Sequence, residues 1–117
     1  MNTVTIRVAS LEEAQRYMEA ALEGDEQHKG NYITFLDWNS LWKTLSPKKM
    51  HILHCMTGAG AGELSIREVA RRVERDVKAV HTDLQALLAC GIVDKGTAGV
   101  IFPYDQIHFD FVIGKAA

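Results

Sequence analysis

The chain has 117 residues, enough for one domain with a single hydrophobic core. No stretch approaches the ~20 consecutive apolar residues of a membrane-spanning helix, which excludes a helical membrane protein. The formal net charge of −2 is not that of a uniformly basic DNA-binding chain. Met1 leads into a strand-like segment rather than into the pattern of a signal peptide. We therefore expect a cytoplasmic protein whose two cysteines, Cys55 and Cys90, are reduced and partly buried.

The first segments predict a strand followed by an amphipathic helix. Residues 3–8 alternate apolar and polar side chains, as a half-buried strand does. Ser10 and Glu13 have the spacing of a capping box, which predicts a helix from there to about Glu23. The outer side of this helix and the polar loop at 24–31 are strongly acidic, which indicates a solvated face, a surface that repels DNA, or a surface for a basic partner.

A second strand and a short helix come next. Residues 31–36 predict the strand, and Asp37 is placed to cap a helix that carries Trp38 and Trp42 four residues apart. We expect this tryptophan pair to pack in the core rather than to form a ligand site. A further helix is predicted to begin at Ser46-Pro47, with proline at its first position, and to end in a glycine-rich turn at 58–62.

Residues 64–91 predict two helices joined by a tight turn. Ser65 and Glu68 have the spacing of a second capping box, Asp76 is placed to cap the second helix, and Gly91 to end it. Apolar residues recur at helical spacing on one face of each helix: Ile66, Val69, Ala70 and Val73 in the first, and Val80, Leu84, Leu87 and Leu88 in the second. This pairing is typical of a helix-turn-helix.

The opposite face of the second helix carries the functional signal. Lys78, Thr82 and Gln85 share that face, and all three can donate hydrogen bonds while none is acidic. A recognition helix presents such side chains to base edges in the major groove of DNA. The alternative interpretation is that any soluble amphipathic helix has a polar face.

A predicted β-hairpin behind the helix pair favours the first interpretation. Residues 92–95 and 100–102 are strand-like, with a turn at 96–99 between them, and a short third strand at 63–65 is placed to pair with them. A helix pair followed by such a hairpin is the arrangement of a winged helix. Lys95 would then lie near the tip of the wing, within reach of a phosphate or the minor groove.

The tail predicts one more strand. Residues 104–113 alternate in polarity, and with the strands at 3–8 and 32–36 they could form a small sheet beyond the hairpin. Such strands expose edges that need a cover or a partner, which is the main reason to expect a homodimer.

Charge is distributed unevenly along the chain. Residues 1–42 carry a net charge of −4, whereas residues 43–102 carry +3, so the basic excess falls on the predicted DNA-binding segment. We expect the residues that hold DNA phosphates to be Lys48, Arg67, Arg71, Arg75 and Lys95. Arg71 and Arg72 are adjacent, so only one of them can face DNA well, and Arg72 is expected to pair with an acid.

Catalytic and metal-binding patterns are weak. The sequence has no phosphate loop after a strand, no nucleophile elbow and no His-Glu metal motif, so we expect no enzyme activity and no cofactor. His51, His54 and Cys55 are chemically suited to bind zinc, but the paired ligand spacing of structural zinc sites is missing. We therefore predict no metal site.

Several segments together resemble a known family: SPKKMHIL, LSIREVARRVERDVKAVHTDLQALLACGIVDK, PYDQIHFDFVI and the opening TVTIRVASLEEA. The chain is similar to small prokaryotic winged-helix proteins described as predicted transcriptional regulators of the MarR type, some of them antitoxins of toxin–antitoxin pairs. One departure is Glu74, in the turn where many helix-turn-helix proteins carry glycine. The turn must either avoid a left-handed residue or hold Glu74 in one, and a glutamate there repels phosphate.

These signals predict an α+β fold, a winged helix-turn-helix with additional strands and a helix from the termini. Within one compact domain, residues 1–45 would form an extension for dimerisation or partner binding, 46–103 the winged-helix unit, and 104–117 a C-terminal strand. The predicted function is a sequence-specific transcriptional regulator, a repressor that binds double-stranded DNA through helix 77–90. The alternative is an antitoxin-type module that binds a toxin protein through its acidic N-terminal part and contacts DNA weakly, to regulate its own synthesis.

Overall fold

The computed structural model describes residues 2–24, 31–57 and 62–114, which form a mixed α+β fold. The elements within these ranges are β1 Thr3–Val8, α1 Leu11–Leu22, β2 Asn31–Phe35, α2 Trp38–Thr44, α3 Pro47–Thr57, α4 Ile66–Val73, α5 Val77–Cys90, β3 Asp94–Lys95, β4 Val100–Ile101 and β5 Gln106–Asp110. The predicted α+β class is confirmed. The loop predicted at 24–31 and the turn predicted at 58–62 lie almost wholly outside the described residues.

β1, β2 and β5 form a parallel sheet in the order β2-β1-β5, with β1 in the centre. In its register, Ile6 of β1 lies opposite Ile33 of β2 and Phe109 of β5. Parallel neighbours need a crossover connection, and α1 supplies it between β1 and β2. The start of β5 is fastened to the start of β1, because the Asn2 backbone N–H donates to the Asp105 carboxylate at 2.7 Å. The predicted tail strand is thus present but shorter than predicted.

The core lies between one face of this sheet and the helices α2 to α5. Val4 and Ile6 are fully buried, whereas Thr5 and Arg7, on the opposite face, are half-buried. The predicted apolar face of α5 is confirmed, since Val80, Leu84 and Leu87 are all fully buried. The apolar face of α4 is confirmed in the same way by Val69, Ala70 and Val73.

Polar residues before the helices act as the predicted caps. The Ser10 hydroxyl accepts from the Glu13 N–H, and the Glu13 carboxylate accepts from the Ser10 N–H, which completes the capping box of α1. Hydrogen bonds to the carboxylate from the Ser10 backbone and from the Ser10 side chain hold the pKa of Glu13 below its usual value. The Asp37 carboxylate caps α2 by accepting a hydrogen bond from the Ser40 N–H. Hydrogen bonds with Ser40 likewise lower the pKa of Asp37. These caps fix where α1 and α2 begin.

The prediction that the tryptophan pair packs in the core was wrong. Trp38 is 39% exposed and Trp42 is 54% exposed. The two rings stack with centroids 6.4 Å apart, and each meets the edge of Phe111 beyond β5. Spacing correctly placed both rings on one side of α2, but the core uses the other side, where Leu41 is buried.

The apolar side of α1 is also more exposed than its amphipathic pattern predicts. No residue of α1 is buried, and Met18 and Leu22 are 66% and 82% exposed. The sheet face on this side explains the difference, because it presents polar groups such as Arg7 and Tyr32 rather than aliphatic side chains. The helix therefore rests on the sheet without burying its larger apolar residues.

Candidate nucleic-acid interface

The turn between α4 and α5 determines how the two helices are oriented. Glu74 ends α4 in the left-handed conformation, at φ 55° and ψ 50°, so the turn holds a strained residue where glycine would be relaxed. The following N–H, that of Arg75, donates back to the Ala70 carbonyl at 3.1 Å. Asp76 then caps α5, and its carboxylate accepts from the N–H groups of Lys78 and Ala79. Three consecutive residues thus fix the start of α5.

The outer face of α5 carries the three predicted base-contacting residues. Lys78, Thr82 and Gln85 are all exposed. The Thr82 hydroxyl donates to the Lys78 carbonyl oxygen at 3.2 Å, and the Gln85 amide nitrogen lies 3.4 Å from Nε2 of His81. This face therefore presents a cation, a hydroxyl and an amide over two turns of one helix, with donors and acceptors that can meet base edges.

Three predicted contact residues from different elements line one groove. Arg67 comes from α4, Gln85 from α5 and Lys95 from β3, and they surround a cavity of about 520 Å³. The turn at 96–99 forms its far wall. Residues that are separated by up to 28 positions in the chain are thereby brought together. Their shared character is basic and amide-bearing, which suits contact with a polyanion.

The predicted hairpin beside this groove is confirmed. Its turn is bound by the side chain of Glu63, a residue for which the sequence predicted no such role. β3 and β4 pair antiparallel, and the predicted third strand is reduced to a single bridge between Leu64 and Val100. The Glu63 carboxylate accepts from the N–H groups of Ala98 and Gly99, at 2.8 and 3.1 Å. A side chain at Gly99 would meet the Leu64 carbonyl at 2.1 Å, so this close approach requires glycine. No local pattern marks Glu63 for this role.

The capping box predicted for α4 is only half formed. The Ser65 hydroxyl accepts from the Glu68 N–H at 3.1 Å, as predicted. The Glu68 carboxylate, however, binds the guanidinium groups of Arg71 and Arg72 instead of the Ser65 N–H. These hydrogen bonds lower the pKa of Glu68 to about 2. Arg72 pairs with an acid as predicted, but Arg71 shares that acid and is not a free cation.

The Arg75 side chain forms an ion pair within the protein. Its Nη1 lies 2.8 Å from Oδ2 of Asp83. The Arg75 and Asp83 side chains are only 20% and 19% exposed. The pair joins the α4–α5 turn to the middle of α5, and the assignment of Arg75 to a phosphate stays a prediction. Lys48, in the first turn of α3, is exposed, as are Arg67 and Lys95.

The candidate metal ligands do not come together. Across residues 2–24, 31–57 and 62–114 the structure places no group of three His, Cys, Asp or Glu side chains where they could hold a metal ion. Cys55 and Cys90 are unpaired and partly buried, and burial raises the pKa of the Cys90 thiol. A raised pKa disfavours the reactive thiolate form. Among the described helices, none is both long and apolar enough to cross a membrane.

The candidate interface lies within the part of the chain that a family model matches. That model, of the HVO_A0114 family, matches residues 44–109, which is more than half of the chain. The match takes in α3, α4, α5 and the hairpin and leaves out β1, α1 and β2. Comparison with curated proteins and with solved structures gives no match. The chain thus belongs to the HVO_A0114 family.

Proposed function

We propose that this protein is a winged helix-turn-helix transcriptional regulator that binds DNA in a sequence-specific way. In this proposal α4 and α5 are the helix-turn-helix, α5 is the recognition helix, and the β3–β4 hairpin is the wing. Lys78, Thr82 and Gln85 contact base edges in the major groove, while Arg67, Lys95 and Lys48 hold phosphates and fix the register. The protein acts as a repressor, because a bound dimer covers its site.

The groove shared by Arg67, Gln85 and Lys95 is the observation that carries this proposal. A base-contacting amide on α5 and two cations on neighbouring elements border the same cavity of about 520 Å³. A DNA strand that follows the outer face of α5 would meet the amide first and the two cations on its flank. The net charge of +3 on residues 43–102 supports the same orientation.

The proposal includes a cytoplasmic homodimer. The outer strands β2 and β5 have open edges, and the described residues beside them expose large apolar side chains, including Leu36, Trp42 and Ile113. A second copy would remove these side chains from water, which is favourable. Two copies would also add their basic surfaces, which compensates for the small excess on each.

Selection from random DNA duplexes at two salt concentrations tests the proposal. We expect an enriched palindrome with half-sites about one helical turn apart, roughly 34–36 Å, from a dimer that reads both halves. Lys95→Ala should weaken binding to all sequences alike and reduce the slope of the salt dependence by about one. The matched control is Lys43→Ala on α2, outside the groove. A chain that enriches no sequence and binds DNA without salt dependence would contradict the proposal.

A second candidate function is an antitoxin-type module that binds a toxin protein and contacts DNA weakly. The observation that favours it is the exposed aromatic pair Trp38 and Trp42, with Val112 and Ile113 beside Phe111. Aromatic side chains of this kind often anchor protein interfaces. A stable complex with the product of a neighbouring gene, combined with failure of the duplex selection, would favour this candidate over the first.

A further inference from the structure

A cavity at one end of the parallel sheet has the position of a ligand site. Its volume is about 320 Å³, and it lies where β1 and β5 end and α1 begins. From β1 the chain crosses through α1 to β2 on one side, while β5 lies on the other side of β1. In open sheets of parallel strands, ligands bind at the carboxyl ends of the strands where the direction of winding changes. This cavity occupies that place.

The lining of the cavity includes a cation held in a fixed orientation. The guanidinium carbon of Arg7 lies 4.3 Å from the ring centroid of Tyr17 and 4.1 Å from that of Tyr32. Its Nε donates to the Thr34 hydroxyl at 2.9 Å. Among the described residues, the ion pairs are those of Arg71 and Arg72 with Glu68 and of Arg75 with Asp83, and none involves Arg7. The two terminal nitrogens therefore keep the fork geometry that matches a carboxylate.

Two carboxylates that line the cavity supply negative charge. Glu13 and Asp110 both line the cavity, and Asp110 is the cross-strand neighbour of Arg7 in the β1–β5 register, on the same face of the sheet. Glu13 is held in place by the capping box of α1, and Asp110 is exposed at the end of β5. A cavity lined by one cation and two carboxylates is complementary to a ligand that carries both signs of charge.

We propose that this cavity binds a free α-amino acid as its zwitterion. The ligand carboxylate would bind the terminal nitrogens of Arg7, and the ligand ammonium would lie between Glu13 and Asp110. A phosphate ion suits the cavity less well, because the two carboxylates repel it. The volume of about 320 Å³ lies at the lower end of the range for small-molecule sites. This binding does not depend on the proposed DNA-binding function, and it concerns the other end of the molecule.

Titration of the full-length chain followed by NMR tests the proposal. Each standard L-amino acid is compared with its N-acetyl form, which lacks the ammonium, and its amide, which lacks the carboxylate. We expect at least one free amino acid to shift the amide signals of Val8, Glu13 and Asp110. Both modified forms should bind about tenfold to a hundredfold more weakly, since each loses a charge-assisted hydrogen bond. Inorganic phosphate is the probe for an anion alone.

Two variants test which residue binds the ligand ammonium and which binds the ligand carboxylate. Asp110→Asn should reduce the preference for the free amino acid over its N-acetyl form, and Arg7→Lys should reduce the preference over the amide. Asp110 is exposed, so its variant should fold even if Arg7→Lys disturbs the tyrosine stack. Glu12→Gln, next to Glu13 but outside the cavity lining, is the control and should change neither preference.

Three results would overturn the proposal. The first is that no amino acid shifts these signals. The second is that phosphate shifts them at lower concentration than any amino acid does. The third is that both preferences persist in Asp110→Asn and Arg7→Lys. Because none of these measurements uses DNA, a failure here is separate from a failure of the duplex selection.

Discussion

Two regions of the molecule differ in how many large apolar side chains they expose to solvent. The helical region, made of α3, α4, α5 and the hairpin, buries the apolar faces of its helices, with Val77 as its one large exposed aliphatic among the described residues. The sheet region, made of β1, α1, β2, α2 and β5 with the residues that follow it, exposes Met18, Leu22, Trp42 and others. The exposed apolar side chains therefore belong mainly to the sheet region, although both regions contribute to one shared core.

The same two regions also differ in charge. Residues 1–42, which form most of the sheet region, carry −4, while residues 43–102 carry +3. The proposed contact with DNA and the proposed contact with protein rest on this difference in charge and in exposure. The experiments below test this division, from the largest expected effect to the smallest.

The first prediction compares two leucines. Leu84→Ala in α5 should lower the free energy of unfolding by about 2–5 kcal/mol, because a fully buried side chain leaves a cavity. Leu22→Ala in α1 should change it by no more than about 0.5 kcal/mol, because that side chain is 82% exposed. Urea denaturation of both variants measures the difference. A large, concentration-dependent effect of Leu22→Ala would instead indicate that a second copy covers α1.

The second prediction concerns sequence discrimination. Thr82→Ala or Gln85→Ala should reduce the discrimination between the selected site and a mutated site by about 1–3 kcal/mol, if each contacts a base edge. Gln15→Ala, an exposed glutamine of α1, is the control from the sheet region and should have no effect. Competition binding with the two duplexes measures it. Equal losses from Gln85→Ala and Gln15→Ala would place the DNA contact elsewhere.

The third prediction compares two glutamates that end helices. Glu74→Gly should raise the free energy of unfolding by about 1 kcal/mol, because it relieves a left-handed residue at φ 55°. Glu23→Gly should not raise it, because Glu23 ends α1 at φ −81°, where glycine brings no relief. Thermal denaturation of both variants measures the effect. The strain account of the turn is contradicted if the two substitutions act alike.

The fourth prediction concerns acid. The pKa of Glu68 is about 2 in the folded chain, below its ordinary value of 4.5, so the unfolded state binds the proton more readily. The stability contributed by Glu68 is therefore present above about pH 4.5 and is lost as the pH falls through about 2. Glu68→Gln should flatten this part of the stability curve, measured by urea denaturation at a series of pH values. Glu12→Gln, in α1, should leave its shape as in the parent chain.

Signals within a few residues of each other determined most elements of this protein. Ser10 with Glu13, Asp37 and Asp76 marked helix starts, because a cap bonds to an N–H two or three residues away. Alternation along residues 3–8 and the apolar face of α5 were visible for the same reason. The outward face of α5 followed from its buried one, so the prediction of Lys78, Thr82 and Gln85 as exposed neighbours needed no tertiary information.

Only the tertiary structure decided which partner a polar or aromatic side chain meets. Asp83 engages Arg75, and the two arginines of α4 compete successfully for Glu68 against the Ser65 N–H. Trp42 meets Phe111 from the far end of the chain rather than the core. Sequence spacing gives the direction of a side chain around its own helix or strand. The partner that a long charged or aromatic side chain contacts depends on which residues from other elements lie within its reach in the folded chain. The stack of Arg7 between Tyr17 and Tyr32 exists for that reason, and no local pattern could predict it.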